Sequence, residues 1–528
     1  MTHTTSHEVI GKRYILQNQL GAGGMGAVYR ATDRLIMNEG TRTVALKRVI
    51  TPTEQLEFAS RSGLVDDSSR QMRLALANEF KALASLRHPH IISVLDYGFD
   101  SDQQPYFTMS ILENPKTLLQ AGHEQPLAIK IDLIIAVLQA LDYLHRRNII
   151  HRDLKPANVM VTTTESSGAD QQVKVLDFGL SAASSQDVED PTDMAAGTLP
   201  YMAPELFQGM SASRASDLYA VGIMAFELFA GHHPFDTSKI GALLNNILFK
   251  PVDLSVLNTN DDIAVVVGKL LNKQPLARFS DASEVIEALC KAANQPLPTE
   301  SLEIRESFLQ AAQFVGRNDE FSTLLTLLTQ AIAGKGAARL LGGESGIGKS
   351  RLLDELRTNA LVEGVLVLRG QAISEGSSPY QMWRDILRWL ILSMTVEPHE
   401  ASFLKNFIPD IANLVEYNVV DAPPLDPQAM QNRLIAIVSA LLNRQTQPIL
   451  ILLEDIHWAG SESLVLLDRL NRLTHNLPLL IISSYRDDEY PDLPSSLPDV
   501  PVLKLQRLTK FAISQLSQAM LGTIGQQA

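Results

Sequence analysis

His151-Arg152-Asp153-Leu154-Lys155-Pro156-Ala157-Asn158-Val159-Met160 opens a stretch that ends, after a polar loop, in Val173-Lys174-Val175-Leu176-Asp177-Phe178-Gly179. Two apolar runs, Asn158-Val159-Met160-Val161 and Val173-Lys174-Val175-Leu176, flank the loop and predict a pair of short strands. Asp153 stands just before this pair, Asp177 just after it, and Asn158 at its start. Two carboxylates and an amide gathered at one end of a strand pair can hold metal ions and a proton acceptor together at the end of a pocket. Asp153 alone would read as a solvated loop carboxylate. The whole constellation does not.

In this order, HRDLKPAN followed by DFG, the stretch resembles the catalytic segment of protein kinases. The resemblance implies a two-lobed α+β fold, ATP and Mg2+ as cofactors, and proteins as substrates. It gives Asp153 the orientation of the substrate hydroxyl and acceptance of its proton, Lys155 the steadying of the moving phosphoryl group, and Asn158 and Asp177 the metal. Lys155-Pro156 after HRDL resembles the Ser/Thr class, and Arg152 resembles kinases regulated through a phosphorylated activation loop. Residues 180–199 would be that loop, with Thr192 as the autophosphorylation candidate in an acidic surrounding of Asp187, Glu189, Asp190 and Asp193. Thr198 resembles the threonine that contacts the catalytic aspartate. Glu205 and Arg278 resemble a buried pair that ties the large lobe together, and Asp217 a brace for the catalytic loop.

Working back toward the N-terminus, Leu20 is followed by Gly21-Ala22-Gly23-Gly24-Met25-Gly26-Ala27-Val28, which fits G-x-G-x-x-G-x-V. Glycines let backbone close over phosphates where a Cβ would intrude. The motif also suits a plain hairpin or a dinucleotide-binding turn. The latter needs a helix at once, whereas Val28 to Thr32 continues as a strand. Val44-Ala45-Leu46-Lys47 is the next predicted strand, and by the resemblance Lys47 pairs with the α- and β-phosphates of ATP. A helix is expected over residues 69–86, with Met72, Leu76, Leu83 and Leu86 on its buried face. Glu79 shares that face and needs a partner, for which Lys47 is the natural cation. His88 and His90 read as loop and packing residues. Residues 105–112 predict the strand leading to the adenine hinge, with Ser110 where kinases often carry an acidic residue. Residues 131–145 predict the helix that delivers the catalytic loop.

A second pattern begins after a proline-rich, polar linker over 293–312. Gly343-Glu344-Ser345-Gly346-Ile347-Gly348-Lys349-Ser350 fits G-x-x-x-x-G-K-[ST] between a predicted strand and a predicted helix. Gly343, Gly346 and Gly348 allow the backbone to cradle phosphates, Lys349 reaches the β- and γ-phosphates, and Ser350 binds Mg2+. The apolar run Ile449 to Leu453 predicts a central parallel strand. Glu454-Asp455-Ile456-His457-Trp458 after it resembles the Walker B segment of AAA-like ATPases, especially the signalling STAND class. That class usually has Asp first. Here either Asp455 takes the metal or Glu454 does so less well, which favours nucleotide binding over rapid hydrolysis. Arg486 after the next strand is a candidate γ-phosphate sensor, or an ordinary post-strand arginine. Residues 503–521 read as a first lid helix. STAND ATPases normally continue further, so the chain is either a fragment or carries an incomplete module.

The expected organisation is a kinase domain over 14–292, the linker 293–312, and a P-loop α/β ATPase with a parallel sheet over 313–528. A chain of 528 residues accommodates this. The formal charge of −14 argues against broad contact with nucleic acid or anionic membranes. One cysteine, Cys290, permits no intrachain disulfide, the N-terminus has no apolar signal core, and no run of about 18 apolar residues occurs. The expectation is therefore a cytoplasmic Ser/Thr kinase with ATP at two sites, protein substrates, and oligomerisation through the ATPase module. The alternative is a nucleotide-switch scaffold with a vestigial kinase domain.

Overall fold

The computed structural model describes residues 8–23, 26–36, 42–48, 86–100, 104–163, 171–176, 197–298, 316–374, 379–415, 417–445, 447–510 and 512–514. Gly24, Glu79, Asp177 and Thr192 lie outside the described residues, as do the expected helix over 69–86 up to residue 85 and most of the expected activation loop.

Six strands form the first sheet: β1 (Val9–Ile10), β2 (Tyr14–Gly23), β3 (Gly26–Asp33), β4 (Thr43–Arg48), β5 (Val94–Phe99) and β6 (Pro105–Ser110). They run antiparallel in the order β1-β2-β3-β4-β6-β5. Gly23 faces Gly26 across the turn of the β2–β3 hairpin, and Gly26 has φ +132°. A side chain there would be strained, which explains the glycine. Val28 pairs with Lys47, and Lys47 with Phe107. This row places Val28 and Lys47 on one face of the sheet, because directly paired residues share a face. Ala45, two residues before Lys47, packs on that face with Ile92 and Met109, and Leu176 packs against the same group. The opposite face buries Tyr14, Leu16, Ala31, Val44, Leu46 and Tyr106.

The larger lobe is helical around one core. The helix Leu127–Arg146 follows Pro126, which suits a helix start because its missing N–H is not needed there. Ile131, Ile134, Val137, Leu138, Leu141 and Leu144 are all buried, facing the helix Arg214–Ala230. That second helix ends at Gly231, whose φ of +81° is the left-handed cap glycine supplies. The predicted strand pair is β8 (Val159–Thr163) and β9 (Gln171–Val175), antiparallel, joined by β7 (Lys116–Thr117).

The second unit is a five-stranded sheet in the order β11-β12-β13-β10-β14, every neighbouring pair parallel. Its strands are β10 (Ala337–Gly342), β11 (Leu366–Gln371), β12 (Ile449–Glu454), β13 (Leu479–Tyr485) and β14 (Val502–Lys504). Ile449, Ile451 and Leu453 enter the core on one face, and Leu450 and Leu452 the core on the other. Helices cover both faces, so the apolar run is continuous rather than alternating. One expectation is corrected. Leu503 belongs to β14, paired with Leu341, and not to a lid helix. β14 occupies the edge beside β10, and Leu505 N–H donates to Gly342 O as the chain leaves it. Residues 505–509 carry no helix, helical backbone appears in this described stretch at Lys510 and residues 512–514, and residues 511 and 515–521 lie outside the described residues. Among the described residues, no helix is long and apolar enough to cross a membrane.

Candidate active site and second nucleotide site

The catalytic loop is held by one carboxylate. Asp217, buried near the start of the helix Arg214–Ala230, accepts the backbone N–H groups of His151 at 2.9 Å and Arg152 at 3.0 Å. Its Oδ2 also lies 2.9 Å from His145 Nε2. Arg152 has φ +68°, a left-handed conformation that costs a non-glycine residue about 1 kcal/mol or more. The two bonds to Asp217 hold the chain in that turn and set the direction of the next residue, Asp153.

Three side chains converge on Asp153. Lys155 Nζ donates to Oδ1 at 3.0 Å, Thr198 Oγ1 donates to the same oxygen at 3.0 Å, and Asn158 Nδ2 donates to Oδ2 at 3.0 Å. Lys155 also donates to Thr198 Oγ1 at 2.7 Å, closing a ring of polar contacts. Asn158 spends its Nδ2 on the Asp153 carbonyl as well, at 2.7 Å, which leaves its carbonyl Oδ1 as a hard oxygen ligand. That chemistry fits Mg2+. Leu176 N–H donates to Asn158 O at 2.8 Å, so the residue before Asp177 is fixed beside Asn158. Lys47 lies on the sheet face that Leu176 packs against, with Nζ 5.9 Å from the Phe107 ring centre. Val28 packs there too, and Leu20 and Gly21 are exposed at the hairpin. Ser110 closes β6, where its N–H donates to Ser93 O.

Behind the site, Arg278 is fully buried and bidentate to Glu205 at 2.7 Å through both nitrogens. Its remaining donors reach Ala215 O and Asn272 O, and its guanidinium lies 4.9 Å over the Tyr219 ring. Every charge in this pair is satisfied, as burial demands.

In the second unit, β10 leads through Gly343 to the helix Lys349–Val362. Gly346 has φ +73° and Gly348 φ +101°, so both need glycine. Lys349 is buried and donates to Gly343 O at 2.6 Å and Glu344 O at 2.8 Å. Burial pushes its pKa down, and Asp455 opposes that. Ser350 is exposed at the helix start. The two Walker B acids separate cleanly. Glu454 is engaged by Arg369 of β11, whereas Asp455 turns left-handed at φ +54° and, with Asp487 and Asp488, favours the charged form of Lys349. Arg486 lies 4.0 Å from Asp455, over the Trp458 ring, and donates to Glu489. A buried lysine, left-handed glycines and an adjacent carboxylate fit a Mg2+-bound nucleotide.

Some supporting residues were not legible in the sequence. Arg317 reaches the P-loop carbonyl of Ile347 at 3.1 Å, and Arg507 pairs with Glu344 at 2.8 Å. Arg369 gave no signal because its partner lies 85 residues away.

The comparisons agree with this anatomy. Residues 14–291, more than half of the chain, match the protein kinase domain family, and residues 313–482 match the AAA ATPase domain family. The chain belongs to the protein kinase family and carries a C-terminal AAA ATPase domain. It is 34% identical over 286 residues to a probable serine/threonine-protein kinase of Streptomyces coelicolor, covering 52% of this chain and 39% of that protein. It is 33% identical to a probable serine/threonine-protein kinase PknB of Lactococcus lactis, covering 53% and 42%, and 32% identical to serine/threonine-protein kinase PknB of Mycobacterium tuberculosis, covering 56% and 45%. The chain thus spans less than half the length of these relatives. Domains of both kinds use ATP with Mg2+.

Proposed function

We propose that this chain is a Ser/Thr protein kinase that moves the ATP γ-phosphoryl group to protein hydroxyls, its own included, in the cytoplasm. The observation that carries this reading is the convergence of Lys155, Asn158 and Thr198 on Asp153. In the reaction the substrate Oγ–phosphorus bond forms and the bond from phosphorus to the ADP oxygen breaks. Asp153 orients the hydroxyl and takes its proton. Lys155 neutralises charge on the moving group. Lys47, partnered by Glu79, positions the α- and β-phosphates beneath Leu20, Gly21, Gly23, Gly24, Gly26 and Val28. Asn158 and Asp177 would hold Mg2+, which would supply charge neutralisation on the phosphates. Catalysis is mainly positioning and electrostatic stabilisation.

In this reading the kinase domain is 14–292, the linker 293–312 and the ATPase module 313–528. The module binds a second ATP through Gly343, Gly346, Gly348, Lys349, Ser350 and Asp455, and serves regulation, scaffolding or self-association. The vestigial-kinase alternative has no observation in its favour. Phosphoamino-acid determination on a generic acceptor protein tests the proposal. Phosphoserine or phosphothreonine is expected, and phosphotyrosine alone, or no transfer, would refute it.

A further inference from the structure

The ATPase unit grips the kinase sheet at the far ends of the Gly-rich hairpin. Arg388, on the helix Arg384–Ser393, is 2% exposed and bidentate to Asp410 at 2.6 and 2.7 Å. Its other nitrogens donate to Leu35 O at 3.1 Å and Arg34 O at 3.2 Å, just beyond the end of β3. Arg34 answers with a bond to Leu414 O at 2.8 Å, and Leu35 packs against the ATPase core. Lys12, at the turn into β2, donates to Ser393 O at 2.7 Å. Both strands of the hairpin are therefore fastened at the ends remote from the phosphate-binding turn.

The P-loop helix Lys349–Val362 makes a second connection. On this helix Arg357 pairs with Asp96 of β5 at 3.4 Å, and Leu361 packs against the kinase core. Asp96 also receives Arg13, which is bidentate to Asp33 at the end of β3.

We propose that the P-loop helix is a strap from the second site to the kinase sheet, through which a nucleoside triphosphate at that site sets the position of the Gly-rich hairpin and so the rate of phosphoryl transfer. The proposal rests on the reading of the P-loop as a nucleotide site. Lys349 must leave the carbonyls of Gly343 and Glu344 to meet a phosphate, which changes the loop that starts the helix. A helix moves as a stiff body, and packed interfaces convert small shifts into discrete rearrangements. Phosphoryl transfer is sensitive to such shifts, since a misplacement of about 1 Å can cost on the order of 100-fold in rate.

The test uses the full chain and a generic acceptor protein at saturating ATP, comparing the parent, Lys349→Ala, Arg357→Ala and the double variant. Lys349→Ala is expected to change the transfer rate by about five-fold or more in the parent. In the Arg357→Ala background the same change should have no more than about a two-fold effect. Equal effects in both backgrounds, or none in the parent, would overturn the strap. A second readout needs no catalysis. Hydrogen exchange of Lys47→Ala protein, with its kinase site disabled, is followed with and without ATP. Protection of the P-loop together with residues 12–20 and 94–99 is expected. Protection of the P-loop alone would overturn the coupling, and no protection at the P-loop would remove the nucleotide-site reading with it.

Discussion

The Asp217 carboxylate accepts the backbone N–H of Arg152 at 3.0 Å, at the point where the catalytic loop turns left-handed. The same carboxylate accepts His151 N–H, so a helix of the large lobe dictates the path of the residues before Asp153. The direction of Asp153 is thus decided two residues upstream, by a buried acid that touches no substrate.

Replacing that acid should uncouple loop geometry from nucleotide affinity. Asp217→Ala strands the buried N–H of His151 and the part-buried N–H of Arg152 and is expected to cost about 3 kcal/mol of stability. The Arg152 turn relaxes, so kcat should fall at least about ten-fold, since 1.4 kcal/mol in the barrier already corresponds to that factor. ATP affinity should change little, because Lys47 and the Gly-rich hairpin are untouched. Denaturant titration and nucleotide binding, read beside kcat, separate the two effects.

The Glu205–Arg278 pair should behave as one unit. Arg278→Ala or Glu205→Ala leaves a buried charge without its partner and is expected to destabilise the kinase unit by about 3–5 kcal/mol. The double replacement should cost less than the sum of the two. Urea midpoints of the three variants check this.

His88 should make stability fall in mild acid. It is buried against Tyr143, and burial pushes its pKa down to about 3, with His90 and Lys174 adding to the shift. Above pH 6.5 the folded and unfolded chains both hold it neutral, and its contribution is constant. As pH falls below 6.5, the unfolded chain takes up a proton that the folded chain refuses until about 3. Stability is therefore lost through that window, at up to about 1.4 kcal/mol per pH unit. Unfolding free energies between pH 7 and pH 5 should show a shallower loss in His88→Gln than in the parent.

The P-loop glycines should not tolerate a Cβ. Gly348 has φ +101°, so Gly348→Ala is expected to lose about 1–2 kcal/mol locally and most nucleotide affinity at that site. Nothing lies within 4 Å of the added carbon, so conformation and not crowding is the cause. Binding of a fluorescent nucleotide to Lys47→Ala protein, with and without this change, measures it.

What the sequence discloses depends on distance along the chain. Asp153, Lys155 and Asn158 lie within six residues, and the loop that joins them has little freedom, so their spacing reveals their meeting. The β12 run was readable because both of its faces are covered, which leaves no polar alternation. The engagement of Glu454 by Arg369 of the neighbouring strand was not readable, because the two residues lie 85 apart in the chain. Leu503 misled because apolar spacing over a few residues suits a strand edge as well as a helix. The bond from Arg34 to Leu414 joins residues 380 apart, and no local pattern marks either end.

In the proposed reading, phosphoryl transfer takes place at the site built around Asp153 and not at the P-loop. Purified chain, Asp153→Asn and Lys349→Ala are incubated with γ-labelled ATP and Mg2+ beside an acceptor protein, and labelled residues are mapped. Label on serine or threonine that is lost in Asp153→Asn and retained, at an altered rate, in Lys349→Ala is the result this account predicts. Label that persists in Asp153→Asn, or no label on chain or acceptor in the unaltered protein, would contradict it.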